Sequence, residues 1–456
     1  LILLIIQISC STNIDRKKDL DLGVFKKKDY NSKGSTGIPG NKDLEYRFIS
    51  NLINMKYEKA EHYLTKLEKE YDKMNDSQKC DYHFYKGSYL WSIKEFIKAE
   101  NEFSNCLNIN NAYVQALYAR ANLYTFALEN DQAMKEDLKL LFSILKYVKN
   151  NSPHENPTIS LYSINAISRK YTKYVDKSDL DYNFVHYTKS LDDLMLDTLG
   201  RLQTIEKEEK NYNHAIKYIY EMLKFPDASI ECRQKLGDYY LELKQYKEAL
   251  ENYTIYLSNP ESSFEIHQRR GLCYFHLGSY KEALLDFNQT LIETDDPEKS
   301  SNISFLKNLL EEKNSKYFKL DIGYEKDIEQ QIQLVKDVKS SALFYKAKCF
   351  EKLNQIDKAI SGMTELIHFN SEYELAYYYR GYYFNEIKEL TRAIDDFKKA
   401  LELNSELTQL YYSIALNYDN INKPSLAKKY YQLYILHHED KTSSKYKYSL
   451  KRTNEL

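Results

Sequence analysis

The chain has 456 residues, 65 basic against 67 acidic, for a formal net charge of −2. That balance supplies neither the basic field that nucleic acid requires nor support for an acidic substrate. With 7 Pro, 12 Gly and 29% charged residues the composition is helical rather than β-rich or disordered, and 456 residues exceed one compact core unless repeats each pack only on their neighbours.

Residues 1–9, LILLIIQIS, form an apolar run too short to span a membrane. The run has neither an initiator Met nor a basic n-region, which reads as a truncated start. It ends at Cys10, and residues 1–10 resemble the end of a bacterial lipoprotein signal, in which Cys10 is the lipidated residue. Ser9 fits that pattern, whereas Gln7 stands where Leu is usual. A clipped secretory signal or a short anchor with an incidental cysteine is the other reading. Residues 11–40 carry Lys17, Lys18, Lys26, Lys27 and Lys28 and the stretch NSKGSTGIPG, with no periodic apolar face, and read as a flexible tether.

Helical periodicity begins at Leu44. A unit over 41–74 has Phe48, Ala60, Leu64 and Leu67 at its positions 8, 20, 24 and 27. Units at 80–113, with Gly87, Ala99 and Phe103, and at 114–147, with Ala121, Tyr124 and Ala133, complete a first block, 41–147. Residues 148–195 then break the register with the loop-like NNSPHENP and two amphipathic segments near 158–175 and 182–197, expected as an irregular helical joint. A second block, 196–297, contains Ala215, then Gly237, Ala249 and Tyr253, then Gly271, Ala283 and Phe287. A second irregular joint, 298–339, has helical stretches near 303–312 and 325–338. The third block, 340–441, repeats Ala347, Ala359 and Met363; Gly381, Ala393 and Phe397; and Ala415, Ala427 and Tyr431. The basic stretch 442–456 is expected as a tail or a capping helix.

The unit is clearest at 374–407. Tyr377, Gly381 and Phe384 share one helical face, and Ala393, Phe397, Ala400 and Leu401 share another. Small residues at Gly381 and Ala393 let two helices approach, with Phe397 wedged into the seam. These residues resemble the tetratricopeptide repeat, a 34-residue helix–turn–helix unit. The resemblance implies an all-α, right-handed α-solenoid of about nine repeats with two irregular joints.

Within the repeats, position 7 is basic at Lys86, Arg120, Arg270, Lys346 and Arg380, and position 23 is acidic at Glu102, Glu136, Asp286 and Asp396. The pairs Lys86–Glu102, Arg120–Glu136, Arg270–Asp286 and Arg380–Asp396 are expected as partly exposed, structural ion pairs between the two helices of a repeat, each contributing about 0–1 kcal/mol. Lys346 faces Gly362 and has no such acid.

No phosphate loop, nucleophile elbow or HExxH occurs. The histidines make no metal-ligand spacing, and His437-His438-Glu439-Asp440 reads as the polar end of the last repeat helix. Cys80, Cys106, Cys232, Cys273 and Cys349 sit at packing positions and read as buried thiols, one pair of which could oxidise on export. No catalytic residue, cofactor or metal is expected.

Function is then expected from surfaces. The resemblance implies that the first helices of successive repeats line a concave groove for a peptide or folded partner, faced by positions 5 and 9. Those positions hold Phe84/Ser88, Tyr118/Asn122, Gln234/Asp238, Gln268/Leu272, Phe344/Lys348, Tyr378/Tyr382 and Tyr412/Leu416. The groove residues singled out are Phe84, Tyr118, Asn122, Phe344, Lys348, Tyr378, Tyr382 and Tyr412, with the 340–441 block the main platform. Any of these rings could instead pack between repeats. The Lys/Asn/Arg set with which related chaperone-binding proteins clamp a carboxylate is absent. The reading is a non-catalytic scaffold, attached to the membrane of a bacterial envelope through lipid on Cys10, outer membrane foremost, with a protein or peptide partner and no nucleic acid. A cytosolic regulatory scaffold is the alternative.

Overall fold

The computed structural model describes residues 42–151, 158–168, 180–226, 228–259, 264–295, 322–438 and 440–456; Cys10, the 11–40 tether and the 303–312 stretch lie outside them. The chain divides into two units between Cys232 and Arg233. In the first, α1 (Lys42–Ile53), α2 (Tyr57–Glu68), α3 (Asp76–Ser92), α4 (Phe96–Ile109), α5 (Val114–Leu123) and α6 (Asp131–Asn151) are followed by strands β1 (Thr158–Ser168) and β2 (Leu180–Ser190), then α7 (Leu191–Glu208) and α8 (Tyr212–Met222). In the second, α9 (Glu231–Glu242), which begins at the division, leads to α10 (Tyr246–Tyr256), α11 (Phe264–His276), α12 (Tyr280–Asp295), α13 (Ile322–Lys352), α14 (Ile356–Phe369), α15 (Glu374–Glu386), α16 (Leu390–Leu403), α17 (Leu410–Asn420), α18 (Pro424–His437) and α19 (Ser444–Glu455). Within each unit, odd helices pack on the even helices that follow them, and even helices on the next odd ones, as a solenoid requires.

One seam recurs. A Cβ built on Gly381 would stand 2.7 Å from the Phe397 ring; one on Gly87 would stand 2.7 Å from Phe103, on Gly271 2.8 Å from Phe287, and on Gly237 2.4 Å from Tyr253. Phe103, Phe287, Phe397 and Tyr253 are all fully buried. The absent side chain at position 8 is thus the space in which the ring at position 24 lies.

The two helices of a repeat meet at a turn with one left-handed residue: Met55, Lys94, Lys210, Lys244, Gly278, Asn354, Lys388 and Asn422, each at position 15 of its unit. The next N–H reaches five residues back, as from Glu95 to the Leu90 carbonyl and from Glu389 to the Phe384 carbonyl, both at 2.8 Å, closing the first helix. The unit 114–147 departs from this. Tyr124–Leu128 form a π turn, the left-handed residue is Glu129 at position 16, and Asn130 N reaches six residues back to Tyr124 O at 3.3 Å. One residue is inserted, so α6 is displaced by one. Met134, Leu138 and Leu141 are buried, while Ala133, assigned to position 20, is only half-buried.

That displacement corrects one expected ion pair. Arg120 does not meet Glu136, which is exposed and bonds Lys139 at 3.1 Å; it clasps Asp137 with Nε and Nη2 at 2.8 and 2.7 Å. Elsewhere Arg270 meets Asp286 at 2.8 and 2.7 Å, and Arg380 meets Asp396 at 2.8 Å through both nitrogens. Lys86 lies 3.3 Å from Glu102, which also binds His83 Nδ1 at 2.7 Å. Glu102 is partly exposed as expected, whereas Asp137, Asp286 and Asp396 are buried, at 5%, 4% and 6% accessible. Burial pushes the Asp137 carboxyl above its ordinary range, against the pull of Arg120. The bases also join successive repeats, since Arg120 Nη1 donates to Ser104 at 2.7 Å and Arg380 Nη1 to Thr364 at 3.0 Å. Lys346 finds Glu365 at 3.9 Å.

The first joint also differs from expectation. Of the segments near 158–175 and 182–197, expected as a helical pair, the described residues 158–168 and 182–190 are strand, and helix is found only from Leu191; β1 and β2 pair antiparallel, with Thr158 opposite Ser190 and Ser168 opposite Leu180. Their sequences favour this, because Thr158, Ile159, Ile164, Ile167, Tyr182, Phe184, Val185, Tyr187 and Thr188 are β-branched or aromatic. Helix resumes only where Ser190 caps α7, its Oγ accepting from Asp193 N at 3.0 Å. In the second joint, 325–338 is no separate helix but part of the 31-residue α13 that continues into the next repeat. The stretch 442–456 supplies α19, which packs on α18 and holds Asp419 through Arg452 at 2.7 and 2.8 Å.

Two stability outcomes follow. Gly381→Val lowers the denaturation free energy by about 1–3 kcal/mol through overpacking, whereas Gly200→Ala, within α7 and with nothing inside 4 Å of the new Cβ, raises it by about 0.5–1 kcal/mol. Asp137→Asn costs about 3 kcal/mol by stranding Arg120, and Glu136→Gln stays within about 0.5 kcal/mol of the parent. Urea titration of the four variants checks both; equal effects at Asp137 and Glu136 contradict the displaced register.

Candidate interaction surfaces

The odd helices carry positions 5 and 9, where the expected groove residues lie. In the first unit the sequence-derived groove residues are covered. Phe84 is fully buried, its ring 6.0 Å from Phe103 and 5.9 Å from Tyr113, so it is core rather than groove. Tyr118 and Asn122 are 6% and 5% accessible. The Tyr118 hydroxyl donates to Asp197 at 3.2 Å, and Asn122 Oδ1 accepts from Arg201 Nη1 at 2.9 Å. Lys189, at the end of β2, sits 5.9 Å over the Tyr118 ring and 3.4 Å from Asp197. The chain itself occupies this part of the expected groove.

The second unit is different. Phe344 is 7% accessible and packs edge-on to Tyr345 and Tyr379, at 5.3 and 5.4 Å, which again makes it inter-repeat core. Tyr378, Tyr382 and Tyr412, on two successive odd helices, are only partly buried against the core. Tyr378 and Tyr382 lie 4.9 Å apart; Tyr382 leans on Phe397 at 5.0 Å, and its hydroxyl meets Ser413 at 3.4 Å. Burial, with Tyr378 adding to it, pushes the Tyr382 phenol up to about 12, so it remains a neutral hydrogen-bonding group. Tyr412 is flanked by Tyr434 at 5.4 Å and Tyr448 of α19 at 6.3 Å, with Lys445 5.4 Å over its ring.

Lys348 is not an isolated cation. Its Nζ bonds Glu351 and lies 3.9 Å over the Tyr379 ring, while Glu351 accepts from the Tyr383 hydroxyl at 2.7 Å. Burial pulls the Lys348 ammonium below its usual value although Glu351 opposes this. Asn417 donates to Asn385 at 2.6 Å on the neighbouring helix. Tyr379 and Glu351 were missed from sequence; the tyrosine run at 377–379 was a signal for the first, and the three-residue spacing from Lys348 for the second. The surface so formed offers flat aromatic area beside an internally neutralised charge.

Cys80, Cys106, Cys232, Cys273 and Cys349 are buried free thiols. Among the described residues no group of three or more His, Cys, Asp or Glu is placed to hold a metal ion. His437 and His438 pack on Tyr411 and Tyr434, at 5.5 and 4.7 Å.

Two family models match within the second unit. Residues 235–299 and 341–369 match tetratricopeptide repeat families. No curated protein matches the chain. Among solved structures, a tetratricopeptide repeat protein from Parabacteroides merdae is 17% identical over 75% of this chain and 98% of its own, with a TM-score of 0.36. Pseudomonas aeruginosa pilF is 11% identical over 57% and 98%, at 0.39, and MamA from Desulfovibrio magneticus is 14% identical over 47% and 97%, at 0.34. The family matches fall on repeats built around the seam of Gly237 with Tyr253, Gly271 with Phe287, and Ala347 with Met363: in these segments the chain carries tetratricopeptide repeats.

Proposed function

We propose that this protein is a non-catalytic scaffold, held to a bacterial envelope membrane by lipid on Cys10, that binds a protein or peptide partner on the odd-helix face of its second unit. Proteins of this repeat family bind protein or peptide partners, and their fold is typically a non-catalytic scaffold. The observation that carries the docking site is that Tyr378, Tyr382 and Tyr412 remain partly accessible, when the corresponding Phe84 and Tyr118 of the first unit are buried. Tyrosine rings offer large contact area with few rotamers to freeze, which suits them as anchors. Lys348 and Glu351 neutralise each other, so the surface favours an apolar or aromatic segment over a strongly charged one.

Partner capture by crosslinking from native membranes tests the surface. Tyr378→Ala and Tyr412→Ala each weaken capture about tenfold or more while helical circular dichroism is retained; unchanged capture by folded variants removes the proposal. Attachment is tested separately by radiolabelled palmitate. Incorporation into the parent and its loss in Cys10→Ser are expected, and an unlabelled parent leaves the cytosolic regulatory scaffold as the reading.

A further inference from the structure

The hairpin of the first unit lies against the odd helices, which carry the positions expected to face a groove. β2 lies against α1 and α3 and abuts α7, and β1 lies against α3 and α5, so the strands touch the first helix of each of three successive repeats. An isolated two-stranded ribbon is at best marginally stable in water and needs a surface to rest on. Here that surface is the odd-helix face. The end of β2 is fixed there by Lys189, over Tyr118 at 5.9 Å and against Asp197 at 3.4 Å, and Tyr118 holds a position that faces the groove in this family of repeats.

We infer that the odd-helix face of the first unit is a binding groove for an extended β segment, and that its resident occupant is the chain's own hairpin. The occupant is inserted between two repeats rather than appended, so it is present at high effective concentration and excludes a competing strand. Its composition, aromatic and β-branched, defines the chemical class that the groove accepts in trans.

The test exploits the register. Thr158 and Ser190 are opposed, and opposed Cα atoms lie about 4.5–5.5 Å apart, so residues 159–189 can be excised and the ends joined by a Gly-Asn-Gly link. A fluorescent synthetic peptide of residues 158–190 is then titrated into the excised and the intact full-length proteins. Saturable binding to the excised protein, with about a hundredfold weaker binding to the intact one, is expected. No binding to an excised protein that keeps its helical circular dichroism, or equal binding to both, overturns the inference. Hydrogen exchange on the intact chain decides the matter if the excised protein fails to fold. Amides of 158–168 and 180–190 should exchange about 100-fold more slowly than in the free peptide, and about threefold faster in Asp197→Ala than in the parent. Exchange at the free-peptide rate in the intact parent means that the groove does not hold the hairpin.

Discussion

Four of the repeats depend on a missing side chain opposite a ring. At Gly87, Gly237, Gly271 and Gly381 the absence of a Cβ admits the edge of Phe103, Tyr253, Phe287 or Phe397. Glycine inside a helix costs about 0.5–1 kcal/mol relative to alanine, so its use here has to be offset by close approach of the two helices. Where alanine replaces glycine, as at Ala347, the partner is the flexible Met363, and Gly362 supplies the room instead, its built Cβ falling 2.9 Å from that of Ala347. The seam fixes the distance between helices, and that distance fixes which residues of positions 7 and 23 can meet.

Much of this was legible because the relevant signals are local. Helical periodicity and a 34-residue step place Gly381, Ala393 and Phe397 without any knowledge of distant contacts. Two features escaped for physical reasons. The π turn at Tyr124–Leu128 inserts a single residue, and Ala133 offers the small side chain that position 20 wants, so the unshifted alignment looked complete. The signal lay further on, where Leu138, Leu141 and Leu145 form a stripe that is one residue out of step with Ala133. The hairpin escaped because a strand resting on helices and a short amphipathic helix both show mixed apolar patterns, and only the β-branched content separates them.

The candidate surface was legible in part. Position in the repeat tells which way a side chain leaves its helix, yet not whether the next repeat covers it. Phe344 leaves in the expected direction and meets Tyr345 and Tyr379, whereas Tyr378 and Tyr382 leave the same way and stay half-open. Tyr379 comes from the next repeat, so the cover over Phe344 is not contained in any single 34-residue window. The ion pairs illustrate the same point in reverse. A base at position 7 was readable as the partner of position 23, but its second bond, from Arg120 to Ser104 or Arg380 to Thr364, crosses to the preceding repeat and buries the acid more deeply than a helix-surface pair would.

The hairpin has a consequence for how the first unit assembles. A solenoid that touches only its neighbours behaves as a one-dimensional chain of coupled segments, able to start folding anywhere and to fray repeat by repeat. Strands that span α1, α3 and α5 connect segments that are not adjacent, and they come from residues 158–190, long after those helices in sequence. Such links raise the mean sequence separation of contacts, which slows folding, and they tie the melting of distant repeats together. The first unit is therefore built to open as a whole, while the second retains the graded, end-first loosening of a simple array.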